Sequence, residues 1–176
     1  LNLGGTVRTA GTQIDLGALN LTASSGLDTS NNNNNPTGAS INIASVAGNS
    51  NDLSLLSRNG GISVPGNVTG AGALTLQDAD AESTGGVNLS GDITAASMAT
   101  GAGAFDVSLT GASVGIDGLS AFSNTGTLTL GDESTDNLLF TGGLTASAPV
   151  TVNIAGTLST VDTALTLGDG DSHVSL

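Results

Sequence analysis

Gly126-Thr127-Leu128-Thr129-Leu130-Gly131 is a strand written in six residues: apolar side chains two apart, hydroxyls between them and glycine at each end. Side chains of an extended chain alternate, so Leu128 and Leu130 share one face while Thr127 and Thr129 share the other. The glycines permit sharp turns on either side. The phrase recurs as Leu19/Leu21, Ile41/Ile43, Ile62/Val64, Val87/Leu89, Val107/Leu109, Val150/Val152 and Val174/Leu176, whose first members, with Leu128 in its place, are 22, 21, 25, 20, 21, 22 and 24 residues apart. A second series lies between the first: Leu53/Leu55, Leu74/Leu76, Ile93, Val114/Ile116, Leu138/Phe140 and Leu158. Two interleaved series with one drifting period near 22 predict a repeat architecture in which each repeat supplies at least two short strands.

Hairpins in a sandwich have no reason to keep a common period. A continuous spiral, in which each strand pairs with its equivalent one turn later, requires one. The expected fold is therefore all-β, a right-handed parallel β-helix (β-solenoid) of roughly eight turns of about 20–25 residues, because parallel crossovers are overwhelmingly right-handed. Leu19, Ile41, Leu53, Leu74, Val87, Val107, Leu128, Val150 and Leu165 are its expected core. No helical 3.6-residue spacing and no linker interrupt residues 1–176, which read as a single solenoid segment, an excerpt of a longer repeat protein or filament. The chain opens at Leu1 in mid-repeat and ends in the strand phrase Val174-Ser175-Leu176, and neither end offers a polar cap.

Composition agrees. The 176 residues include 27 Gly, no Cys, no Trp, no Tyr and 3 Phe, so the interior must be narrow enough for Leu, Val, Ile and Ala to fill. Phe105, Phe122 and Phe140 are expected to plug wide parts of that core rather than to bind sugars. Fifteen acidic residues face only Arg8 and Arg58, giving a net charge of −13. Such a surface repels phosphate backbones, so nucleic acid and anionic membrane are poor partners. No apolar run approaches the ~18 residues that a membrane helix needs.

Two loops break the period. Ser30 to Gly38, with Asn31 to Asn35 and Pro36, reads as a loop bulging from one corner, since Asn favours turns and Pro lacks the ladder donor. Gln77 to Thr84 forms an acidic outward bend. Hard oxygen ligands suit Ca²⁺, which makes Asp78, Asp80 and Glu82, and Asp169 with Asp171, its weak candidate ligands. Neither group has the spacing of an EF-hand or of the glycine-rich nonapeptide repeat, so the expectation is solvated acidic turns, no metal site and no cofactor. His173 stands alone. Enzymatic activity is not expected, because two arginines some fifty residues apart make no cationic clamp and no carboxylate pair is selected by spacing. The sequons at Asn20, Asn67 and Asn88 are what a chain rich in Asn, Ser and Thr produces by chance.

Phrases such as Gly126 to Gly131, Val150-Thr-Val-Asn-Ile154 and Ala164-Leu-Thr-Leu-Gly168, set among Gly, Asn, Ser and Thr, resemble the repeat region of filamentous-haemagglutinin-like and autotransporter-type bacterial surface proteins. That resemblance covers the whole chain and is one of style. It implies a right-handed parallel β-helix, export across the outer membrane, an extracellular or cell-surface location, and a structural or adhesive role in a fibre. The uncapped ends make the expected partner another stretch of the same coil, end to end, and an adhesive role adds glycans or cell surfaces; the alternative role is a glycan-binding or glycan-cleaving β-helix. A third class, an ice- or mineral-ordering Thr array, needs the same Thr in successive turns, whereas the phrases place Ser63, Asn88 and Ser108 where Thr129 would have to repeat.

Overall fold

The computed structural model describes residues 1–77 and 83–176, and those residues form a right-handed parallel β-solenoid of about eight turns. No helix occurs among them. Strands pair in parallel with their equivalents one turn away, and an isolated antiparallel bridge joins Ala10 to Ser30.

Each turn has three faces rather than two. Face A stacks Ile14, Ile41, Ile62, Val87, Val107, Leu128, Val152 and Val174 in one inward row. Face B stacks Leu19, Val46, Val68, Ile93, Val114, Leu138 and Leu158. Face C stacks Ser25, Leu53, Leu74, Met98, Ser120, Leu144 and Leu165. The chain visits them in the order A, B, C. With strands ~4.8 Å apart, the eight rungs of face A span about 34 Å.

This register corrects the sequence reading at four points. Leu19/Leu21 belongs to face B, and the face A partner of Ile41/Ile43 is Ile14/Leu16. The second series merged two faces, since Leu53 and Leu74 lie on C whereas Ile93, Val114, Leu138 and Leu158 lie on B. Val150 is not core: it is 57% exposed, and Val152 takes the place above Leu128. A slip of two residues preserves alternation, so alternation alone cannot exclude it. Leu165 sits on the inward row of face C but is 44% exposed, because no further turn covers it in this structure. The other expected core residues are buried, and so are Phe105, Phe122 and Phe140.

Corners are built by close approach and by polar side chains. At the A-to-B corner Gly66, Gly91 and Gly111 lie one above the other. A Cβ on Gly91 would come within 2.3 Å of the Gly66 carbonyl carbon, and one on Gly111 within 2.1 Å of the Gly91 oxygen. Carboxylate and amide groups at the corners accept backbone N–H groups from the next turn. Asn67 Oδ1 accepts from Asp92 N at 3.0 Å, Asp92 Oδ1 from Ser113 N at 3.0 Å, and Asp106 Oδ1 from Thr127 N at 2.7 Å. The C-to-A corner holds a buried polar spine of Thr29, Ser57, Gln77 and Asn124. The Gln77 amide is saturated there: Oε1 accepts from the backbone N–H groups of Ser57 and Arg58 at 3.0 Å, while Nε2 donates to Ser57 Oγ at 2.8 Å and to the Gly85 carbonyl at 2.8 Å.

Ser120 is the exception. Its hydroxyl lies fully buried between Met98 and Leu144 and has no hydrogen-bond partner. Desolvating a hydroxyl without compensation costs about 1–3 kcal/mol. Ser120→Ala is therefore expected to raise stability by about 1 kcal/mol in urea unfolding, and a loss of stability would contradict this packing.

The inward and outward assignment has its own test. Leu128 is fully buried, whereas Thr129 is half-buried on the outer side. Leu128→Asp is expected to cost several kcal/mol by burying an unpaired charge, and Thr129→Asp well under half of that. Equal shifts in the thermal melts of the two variants would overturn the assignment.

Candidate functional site

The outer rows of the three faces differ from one another. On face A the outward row is Asp15, Asn42, Ser63, Asn88, Ser108, Thr129, Asn153 and Ser175, short polar side chains throughout. Asn42 Nδ2 donates to Asp15 Oδ1 at 2.6 Å, and Gln13 Nε2 donates to the same carboxylate. Asp15, Asn42 and Ser63, together with Gly17, Ala44 and Pro65, edge a groove of about 410 Å³. Thr129 is followed by Asn153 and preceded by Ser108, so the regular Thr array that an ordering surface requires is broken, as the phrases indicated. On face C the row Thr6, Gly26, Ser54 and Thr75 is small and open, and a hollow of about 400 Å³ lies over Gly26.

Asp28 organises the rim of that hollow. It is 6% exposed, and its carboxylate accepts four bonds: from Ser30 N and Ser30 Oγ at 2.7 Å, from Asn32 N at 2.7 Å and from Arg8 Nε at 2.7 Å. The asparagine loop turns back over it with Asn31, Asn32 and Asn33 all in the left-handed region, a conformation that Asn tolerates better than most residues. Burial pushes the Asp28 pKa up, but the donors from Ser30, Arg8 and Asn32 outweigh it and hold the carboxyl below its ordinary value.

Of the sequence-level metal candidates, Asp78, Asp80 and Glu82 lie outside the described residues. Asp169 and Asp171 share a turn but do not converge: Asp169 Oδ1 accepts from Asp171 N at 3.0 Å and from Ser172 Oγ at 3.1 Å, closing its own turn. No group of three or more metal-ligating side chains occurs among the described residues. His173 is exposed on face A beside Thr151. At the sequons, Asn20 bonds to Asn2 and Asn49, and Asn88 accepts from Ser90.

The Arg8–Asp28 pair is not singled out by the sequence, and Gln77, which the sequence places in an outward bend, is instead fully buried, because the corner backbone groups of Ser57, Arg58 and Gly85 saturate its amide. Arg8 and Asp28 are 20 positions apart, close to one repeat, and that spacing is the signal that pairs them. Gln77 directly follows the phrase Leu74-Thr75-Leu76, which marks it as a corner residue of face C. Comparison with family models, with curated proteins and with solved structures finds no match to this chain.

Acid should weaken the coil. Backbone donors of Asp132 and Glu133 lower the Asp136 pKa, those of Asp171 with the Ser172 hydroxyl lower Asp169, and the Asn42 and Gln13 amides lower Asp15, as the donors around Asp28 lower it. A carboxyl depressed in the folded state contributes stability that is present above its unfolded pKa of about 3.9 and is lost as pH falls through the folded value. Urea midpoints are therefore expected to hold steady near neutrality and to fall below about pH 4. Asp28→Asn should lower stability near neutrality and flatten the acid decline, and an unchanged pH profile in that variant would contradict the role given to Asp28.

Proposed function

We propose that this chain is a structural and adhesive segment of an extracellular bacterial surface fibre, in the manner of the filamentous-haemagglutinin-like and autotransporter-type proteins that its phrases resemble. The observation that carries this reading is the parallel ladder that runs turn after turn around one apolar column. A parallel ladder lengthens by pairing with a further turn, and its partner in this reading is another coil, from the same chain or from a second copy. Outward rows of short polar side chains suit a stiff hydrated spacer, and the role needs no catalysis and no cofactor. Glycan binding is the second reading, favoured by the hydroxyl-lined hollow on face C.

Electron microscopy of the purified chain at low and high salt tests the fibre. Axial growth into rods much longer than one segment is expected, with side-to-side bundling only where salt screens the −13 charge. Discrete rods about 35 Å long in both conditions would contradict it.

A further inference from the structure

The hollow on face C holds a prepositioned cation. Arg8 and Arg58 are the chain's two Lys or Arg residues, and Arg58 is 3% exposed inside a corner, so Arg8 is the guanidinium at the surface, with its side chain 45% exposed. It uses only Nε, toward Asp28, and its two terminal nitrogens make no hydrogen bond to the described residues. Among the described residues Asp28 is the one carboxylate lining the hollow, and four donors already occupy it. The ion pair therefore fixes the guanidinium while leaving its outer edge unused. Around it, Thr6 and Ser54 present hydroxyls without hydrogen bonds to the described residues, Ser24 and Asn32 add polar rims, and Gly26 supplies the space.

We propose that this hollow binds the carboxylate of a sugar acid, the Arg8 terminal nitrogens forking onto the carboxylate and the Thr6, Ser54 and Asn32 side chains meeting the ring hydroxyls. Guanidinium–carboxylate pairing is charge-assisted and directional, and a planar fork held by its own acidic partner loses little freedom on binding. About 400 Å³ lies within the size range of small-ligand sites and exceeds what one sugar ring needs. Long-range repulsion from the chain's negative charge is screened beyond ~8 Å at physiological ionic strength, so affinity is set locally and is weak. The proposal supplies the adhesive reading with a ligand class and rests on that reading only for its biological setting.

Sodium glucuronate, glucose and N-acetylalanine, titrated separately into the isotope-labelled chain and followed by amide chemical shifts, test it. Glucuronate is expected to shift the amides of Thr6, Arg8, Gly26, Asn32 and Ser54 saturably. Glucose, lacking the carboxylate, and N-acetylalanine, lacking the hydroxyls, should each bind at least about tenfold more weakly. Arg8→Lys keeps the charge and loses the fork, and should weaken glucuronate at least about tenfold while the remaining spectrum shows an intact coil. Arg8→Gln should abolish the shifts. No saturable response to glucuronate, equal binding of the three probes, or full binding by the folded Arg8→Lys variant would overturn the proposal. None of these results bears on axial growth under the microscope, so the ligand and the fibre fail separately.

Discussion

The backbone hydrogen bond between one turn and the next is the constraint from which the rest of this structure follows. It fixes neighbouring strands ~4.8 Å apart, so each residue of an interior strand has its equivalent directly above and below. A side chain is then acceptable only if it suits those two neighbours. Inward rows become aliphatic columns, as in Val107, Leu128 and Val152 on face A. Corners become columns as well, which is why Gly66, Gly91 and Gly111 stack where a Cβ would strike the backbone of the adjacent turn.

The same constraint gives the acidic residues a structural use. Each corner leaves backbone N–H groups pointing away from the strand ladder, and a short carboxylate or amide one turn away can accept them. Asp52, Asp92 and Asp106 do so for Ala73, Ser113 and Thr127. Asp28, Asp136 and Asp169 accept donors within their own turns. Part of the chain's negative charge is thus spent on closing corners, and the same groups make the coil sensitive to acid. Lys would offer no acceptor at these places, which fits its absence from the sequence.

Period and alternation were enough to read the parallel coil and most of its interior. They could not separate three faces from two. Face C is interrupted by Ser25 and Ser120 in its inward row, so its columns look broken to a hydrophobic pattern, and the eye joins Leu53 and Leu74 to Ile93 on face B. Val150 was misplaced for a related reason: Val150, Val152 and Ile154 all alternate correctly, and only pairing with Leu128 and Leu130 selects the last two. The rim of the face C hollow was hidden because its residues are remote in sequence. Arg8 meets Asp28 only when the coil is wound, and the loop that carries Asn32 onto the same carboxylate reads from the sequence only as a bulge at one corner.

The central claim, one three-faced coil in this register, is tested most directly by interstrand proton contacts in the solution NMR spectrum of the intact chain. The account predicts that the Thr129 backbone meets Ser108 on one side and Asn153 on the other in the pattern of parallel strands, that Met98 meets Ser120, and that the amides of Leu109, Leu128 and Val152 exchange slowly. Antiparallel contacts between these segments, or contacts linking Leu19 rather than Ile14 to Ile41, would contradict it.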